Sequence, residues 1–105
     1  MPSQQDIERF TLAFHREAVA RLHAHDELRE QALRVIDRWE AGGMSASSRA
    51  YRDEWRSLLR GSVAQLERVV CSESEHAATL RSMSPLGFLL TPEERLRIRR
   101  EAMAA

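Results

Sequence analysis

Lysine is missing altogether: all sixteen basic residues are arginine, and sixteen carboxylates balance them. Zero net charge weighs against strong non-specific nucleic-acid binding, which draws on excess positive charge. The imbalance along the chain is mild, with six arginines against eight carboxylates over residues 1–41 and ten against eight thereafter. A single cysteine, Cys71, rules out an internal disulfide and fits a reducing compartment. No apolar run approaches the ~20 residues that span a bilayer. The opening MPSQQDIERF is polar and acidic rather than basic and then apolar, unlike a signal peptide. A cytoplasmic protein with no membrane partner is expected. Glycine and proline are scarce, at four and three copies, and no alternating Val/Ile/Thr run bounded by turns occurs. Strands are therefore not expected.

What is present is helix-forming. Ala, Leu, Arg and Glu dominate a chain of 105 residues that is 43% hydrophobic and 30% charged. That length makes one domain, burying about two-thirds of its unfolded surface. Ser3 is placed to cap a first helix, and Ile7, Phe10, Phe14, Ala18 and Leu22 recur at helical spacing behind it. The stripe continues through Leu28, Ala32, Val35 and Trp39, with His25 at a position where an apolar residue is due. Residues 1–41 thus read as one long helix or a bent pair, with continuity favoured and Asp26 as the cap of a second helix if they divide.

The run GGMSASS, 42–48, is the clearest break, with a glycine cap and hydroxyls able to start the next helix. A second arm over 46–83 carries Tyr51, Trp55, Leu58 and Leu59. Gly61-Ser62 interrupts it, and Ser62/Gln65 and Ser72/Glu75 have capping-box spacing. The last unit, 84–105, holds the apolar turn PLGFLL and then Thr91-Pro92-Glu93-Glu94, a strong helix start. The expected fold is all-α: a long antiparallel helical hairpin with shorter C-terminal helices packed over it, a small helical bundle. Trp39 and Trp55, sixteen residues apart around the turn, should then lie near one another.

Catalytic chemistry has little to stand on. His15, His23 and His25 cluster loosely beside Asp26 and Glu27, but a metal centre needs three or four converging ligands. Glu73 and His76 form one Glu-x-x-His pair, where di-iron bundles use two plus further carboxylates. Cys71 and His76, five apart, do not align on a helix, and no phosphate-cradling glycine loop or Gly-x-Ser-x-Gly elbow occurs. No enzymatic role, metal or cofactor is expected.

Arginine placement is more informative. Arg49, Arg52, Arg56 and Arg60 step by three, four and four, a ridge suited to an acidic protein surface or a phosphate backbone and partly neutralised by Asp53 and Glu54. Near the carboxyl end, Leu86, Phe88, Leu89 and Leu90 fall within six residues, and the last helix has two apolar edges, Leu96/Met103 and Ile98/Ala102. A helix with two such edges can bury one and offer the other. Part of PLGFLL, Leu86 with Leu89 or Leu90, should close the core; Phe88, Leu90 if Leu89 is the one enclosed, and Ile98, flanked by Arg97, are expected to face outward as a recognition surface. Tyr51, Trp55, Arg52, Arg56 and Arg60 are the candidate anchors on the second arm.

From Trp39 onward, RW…Y..EW..LL followed by LR..SPL..LL…ER resembles uncharacterised small helical proteins of proteobacterial genomes, some of them antitoxin-like. The resemblance implies a protein partner, such as a toxin from the same operon, and no catalytic residue. The autorepressor segments of many antitoxins have no counterpart at this N-terminus. A non-enzymatic module that binds and masks another protein is the expected function. A nucleic-acid regulator using the arginine ridge and a self-associating scaffold, such as a homodimer, are the alternatives.

Overall fold

The computed structural model describes residues 3–104, and its described residues form six α-helices and two 3₁₀ turns with no strand. The expected all-α small bundle is what forms. Ser3 opens α1 (Gln4–Ala24) with a reciprocal box: its hydroxyl accepts from the Asp6 amide at 3.1 Å, and the Asp6 carboxylate accepts from the Ser3 amide at 3.1 Å. Both bonds hold the Asp6 carboxyl below its ordinary range. α1 then buries Phe14, His15, Ala18, Val19 and Leu22, a face of threes and fours that packs against the last three helices.

The favoured continuity across His25 is overturned. His25 adopts φ −135° and ψ 75°, its amide returning to Arg21 O at 2.8 Å, and α2 begins only at Leu28 (Leu28–Ala41). Three short i→i+3 bonds, from Leu28, Arg29 and Glu30 to His25, Asp26 and Glu27, make the corner. Asp26 does not cap α2; its carboxylate pairs with Arg29 at 2.6 Å instead. Arg29 in turn donates to the carbonyls of Leu59, at 3.1 Å, and Gly61, tying the corner to the end of the next helix. His25 itself is exposed.

α2 ends in a Schellman turn. Gly43, at φ 83°, donates to Glu40 O at 3.2 Å and Met44 donates to Trp39 O at 3.2 Å, so the glycine expected here occupies the left-handed position only glycine takes without strain. A 3₁₀ turn, Ala46–Ser48, leads into α3 (Arg49–Arg60), which returns along α2. Helices α4 (Val63–Val70) and α5 (Glu75–Ser82) follow as short segments. Ser62 caps α4 through Gln65 N at 3.1 Å, as its spacing suggests. α5 is capped by Ser74, whose hydroxyl takes the Ala77 amide at 3.1 Å, and not by Ser72. A second 3₁₀ turn, Gly87–Leu89, precedes α6 (Pro92–Ala104).

The hairpin is therefore α2 and α3, while α1 is a separate arm across the bundle and α4, α5 and α6 lie against it. Trp55, Leu66, Val70, Leu80 and Leu86 meet the α1 face in one core. The Trp55 ring lies in this core, 6.3 Å from His15, and Trp39 packs half-buried against the same core near the hairpin tip. No described helix is long and apolar enough to cross a membrane.

Candidate functional site

Helix α3 turns its arginine ridge to internal use. Arg52, only 5% exposed, donates Nε to Glu40 at 3.0 Å and Nη1 to Ser45 O at 2.9 Å and to the Ser48 hydroxyl. Arg56 holds Asp37 at 3.0 Å and the second Glu40 oxygen. These two guanidinium groups bring the Glu40 carboxyl down to about 2, and Glu40 and Asp37 in return hold Arg56 in its charged form. Arg49 approaches Asp53 at 3.8 Å, and Arg60 alone of the four is exposed without an ion pair among the described residues. Arg52 and Arg56 thus clamp α2, the tip and α3 together, which corrects their expected availability, while Arg49 and Arg60 stay exposed. Trp55 is fully buried and donates Nε1 to Leu80 O at 3.0 Å, so it anchors this chain's own α5. Tyr51 is half-buried, its ring 5.9 Å from His76, whose Nε2 meets Glu54 at 2.8 Å rather than Glu73.

The carboxyl-terminal expectation is also corrected. Leu90 and Ile98 are buried at 4% and 5% exposure, Phe88 is half-buried, and Leu86 and Leu89 join the core. The other edge of α6 faces out: Leu96 is 48% and Met103 37% exposed. The cause is the rotation of α6. Thr91 and Glu94 form the expected box, at 2.9 and 3.2 Å. Arg21 of α1 then grips Glu94 at 3.0 Å and Leu89 O at 2.9 Å, while Arg95 donates to Gly87 O. With Glu94 held toward α1, Ile98 and Ala102 follow inward one and two turns later.

The outward edge repeats Leu96, Arg99, Arg100 and Met103 at spacings of three and four, one continuous strip. Arg99 lies over the Phe10 ring at 5.9 Å and Arg95 over Phe14 at 5.4 Å, so α1 and α6 run antiparallel. That register carries Ile7, 44% exposed, toward the Met103 end. Arg97 is exposed and only loosely near Glu101, at 3.9 Å. A second apolar feature is a cleft of about 360 Å³ at the hairpin tip, walled by Trp39, Met44 and Met83.

Two polar residues are buried where the sequence pattern did not place them in the core. His15, on the core face of α1, has Nδ1 2.7 Å from Thr11 O and Nε2 without a partner. Because a carbonyl can only accept, the proton sits on Nδ1 and Nε2 presents a lone pair. Burial pushes this imidazole down to about 4, and nearby Arg81 adds to the effect. Arg81 on α5 is 5% exposed; Nη1 donates to Val70 O and Ser72 O, both at 2.7 Å, and Nε has no acceptor. Burial pushes the Cys71 thiol up, with Glu67 adding to it, which keeps the sulfur protonated and poorly nucleophilic. Among the described residues no three His, Cys, Asp or Glu side chains converge as a metal site would require.

Comparison with known protein families, with curated proteins and with solved structures finds no match for this chain.

Proposed function

We propose that this protein is a non-enzymatic binding module that masks another protein, an antitoxin-like neutraliser, using the α1–α6 face. The observation that carries the reading is the concentration of exposed apolar side chains there. Three of the four large hydrophobic residues left exposed among the described residues, Ile7, Leu96 and Met103, lie on that helix pair. Arg97, Arg99 and Arg100 flank them, all exposed. An apolar strip rimmed by guanidinium groups fits a partner segment with an apolar stripe and acidic flanks, since rim charges steer association and the apolar centre supplies most of the affinity. A second copy fits less well, because pairing α6 with itself brings arginine against arginine. The α3 ridge no longer favours a nucleic-acid reading, since Arg52 and Arg56 are engaged by Glu40 and Asp37.

Co-expression with the product of the adjacent gene tests this reading. A stable complex that Leu96→Glu and Met103→Glu each break, while both variants keep the helical circular dichroism of the parent, is the expected result. A complex indifferent to both changes, or none with that product, overturns it. Light scattering at two concentrations reports the homodimer, which would replace the proposed partner with a second copy.

A further inference from the structure

Helix α2 leans chiefly on one neighbour, α3, whereas α1 packs on α4, α5 and α6, and α3 packs on α4 as well. α3 is tied into the core a second way, through Trp55, which donates to Leu80 O on α5 and lies beside His15 of α1. The buried residues of α2, Ala32 and Ile36, are two in a helix of 14, against four in the 12 residues of α3. Both ends of α2 run into non-helical joints, the corner at His25–Glu27 and the Gly42-Gly43 turn. What holds those ends is charge. Arg29 donates to the carbonyls of Leu59 and Gly61 at one end, and Asp37 and Glu40 take Arg56 and Arg52 at the other. α6 also leans chiefly on α1, but the buried Leu89, Leu90 and Ile98 anchor its start.

Lifting α2 off α3 therefore uncovers little fully buried apolar surface, and it returns two guanidinium groups and their carboxylates to water, which recovers the solvation lost in pairing them. The joints absorb the backbone change. Trp55, His15 and Leu80 stay packed on one another, so the other five helices keep a core. We infer that α2 is a strap, which opens from α3 as one unit while α1 and α3–α6 remain folded. Closed, it covers the arginine ridge: Asp37 and Glu40 occupy Arg56 and Arg52, and Leu33 shares the wall of one cleft with Leu59. Opening frees both arginines and uncovers the flank of Leu59, so Arg49, Arg52, Arg56 and Arg60 stand together only when the strap is off. The contact is autoinhibitory in that sense. α2 presents to α3 the carboxylates that an outside acidic group would otherwise supply.

The test is native-state hydrogen exchange of the full ¹⁵N-labelled chain. Amides of α2 from Ala32 to Arg38 should share one protection factor, about a hundredfold below that of Ala18–Leu22 in α1 and Trp55–Leu59 in α3. Two variants separate strap opening from unfolding of the whole chain. Glu40→Gln weakens a contact made only in the closed fold and should lower α2 protection roughly fivefold. Val19, fully buried in α1, belongs to the core that stays intact with the strap on or off. Val19→Ala should therefore lower protection in α1 and α3 roughly tenfold and leave that of α2 unchanged. The proposal is overturned if α2 and α1 are equally protected, or if Val19→Ala lowers both alike, because α2 then opens only when everything unfolds. It is equally overturned if the α3 amides exchange together with those of α2, because the whole hairpin then lifts.

Discussion

The imidazole of His15 and the indole of Trp55 lie 6.3 Å apart, inclined at 36°, inside the core that joins α1 to α3. Trp55 is hydrogen-bonded there; the His15 Nε2 is not. Protonating that nitrogen would put a second cation beside Arg81 in a dry site. With His15 at about 4 in the fold and near its ordinary value when unfolded, the unfolded chain binds more protons between those limits. Stability is therefore full above about pH 6.5 and is lost as pH falls toward about 4. Urea unfolding should show a loss of about 2 kcal/mol between about pH 7 and pH 5, and His15→Leu should flatten that dependence.

Glu40 answers two arginines, one of them buried, whereas Asp37 answers Arg56 alone. Removing Glu40 leaves Arg52 charged and unpaired inside the fold, the costly way to break an ion pair. Glu40→Ala should lower the urea midpoint well beyond Asp37→Ala. The carboxyl, held at about 2 in the fold, favours folding above its unfolded value, and that contribution disappears as pH drops through about 4 to 2. Glu40→Gln should remove this part of the acid transition.

The two edges of α6 give a sharp contrast. Ile98→Ala opens space in the core and should cost about 2–4 kcal/mol, whereas Leu96→Ala on the exposed edge should stay within about 0.5 kcal/mol. Chemical denaturation of the two variants side by side decides whether α6 is rotated as described.

What was legible in the chain is local. The Thr91–Glu94 box, the Gly42-Gly43 stop and the Ser3 and Ser62 caps depend on residues within four positions, and each forms where its spacing places it. Ala18 and Leu22 also bury as their periodicity implies. The misreadings share one cause, a distant partner. α6 offers two apolar edges of similar quality, and Arg21, far back on α1, selects between them through Glu94. The arginine ridge looked free because Glu40 and Asp37 lie across the hairpin turn. The stripe through His25 stayed in phase, yet Arg29 stabilises a corner by reaching carbonyls on α3 and beyond. Arg81 gave no warning, since its acceptors, Val70 O and Ser72 O, are backbone atoms and invisible to any pattern of side chains.

Trp55→Phe isolates the value of one buried bond. Leu80 O loses its indole donor but keeps the Met83 amide at 3.1 Å, so the change removes one buried hydrogen bond, about 0.5–1.5 kcal/mol, without orphaning the carbonyl. The smaller phenyl ring adds a packing loss of the same sign. Because Leu80 precedes Arg81, loosening this contact should also broaden the Arg81 Nε–H resonance. The variant retains Trp39, half-buried at the hairpin tip. Its folded-state fluorescence should therefore shift to longer wavelength than the parent's, and its unfolding should change the emission maximum less. A parent-like spectrum with unchanged stability would show that Trp55 is not enclosed against α5.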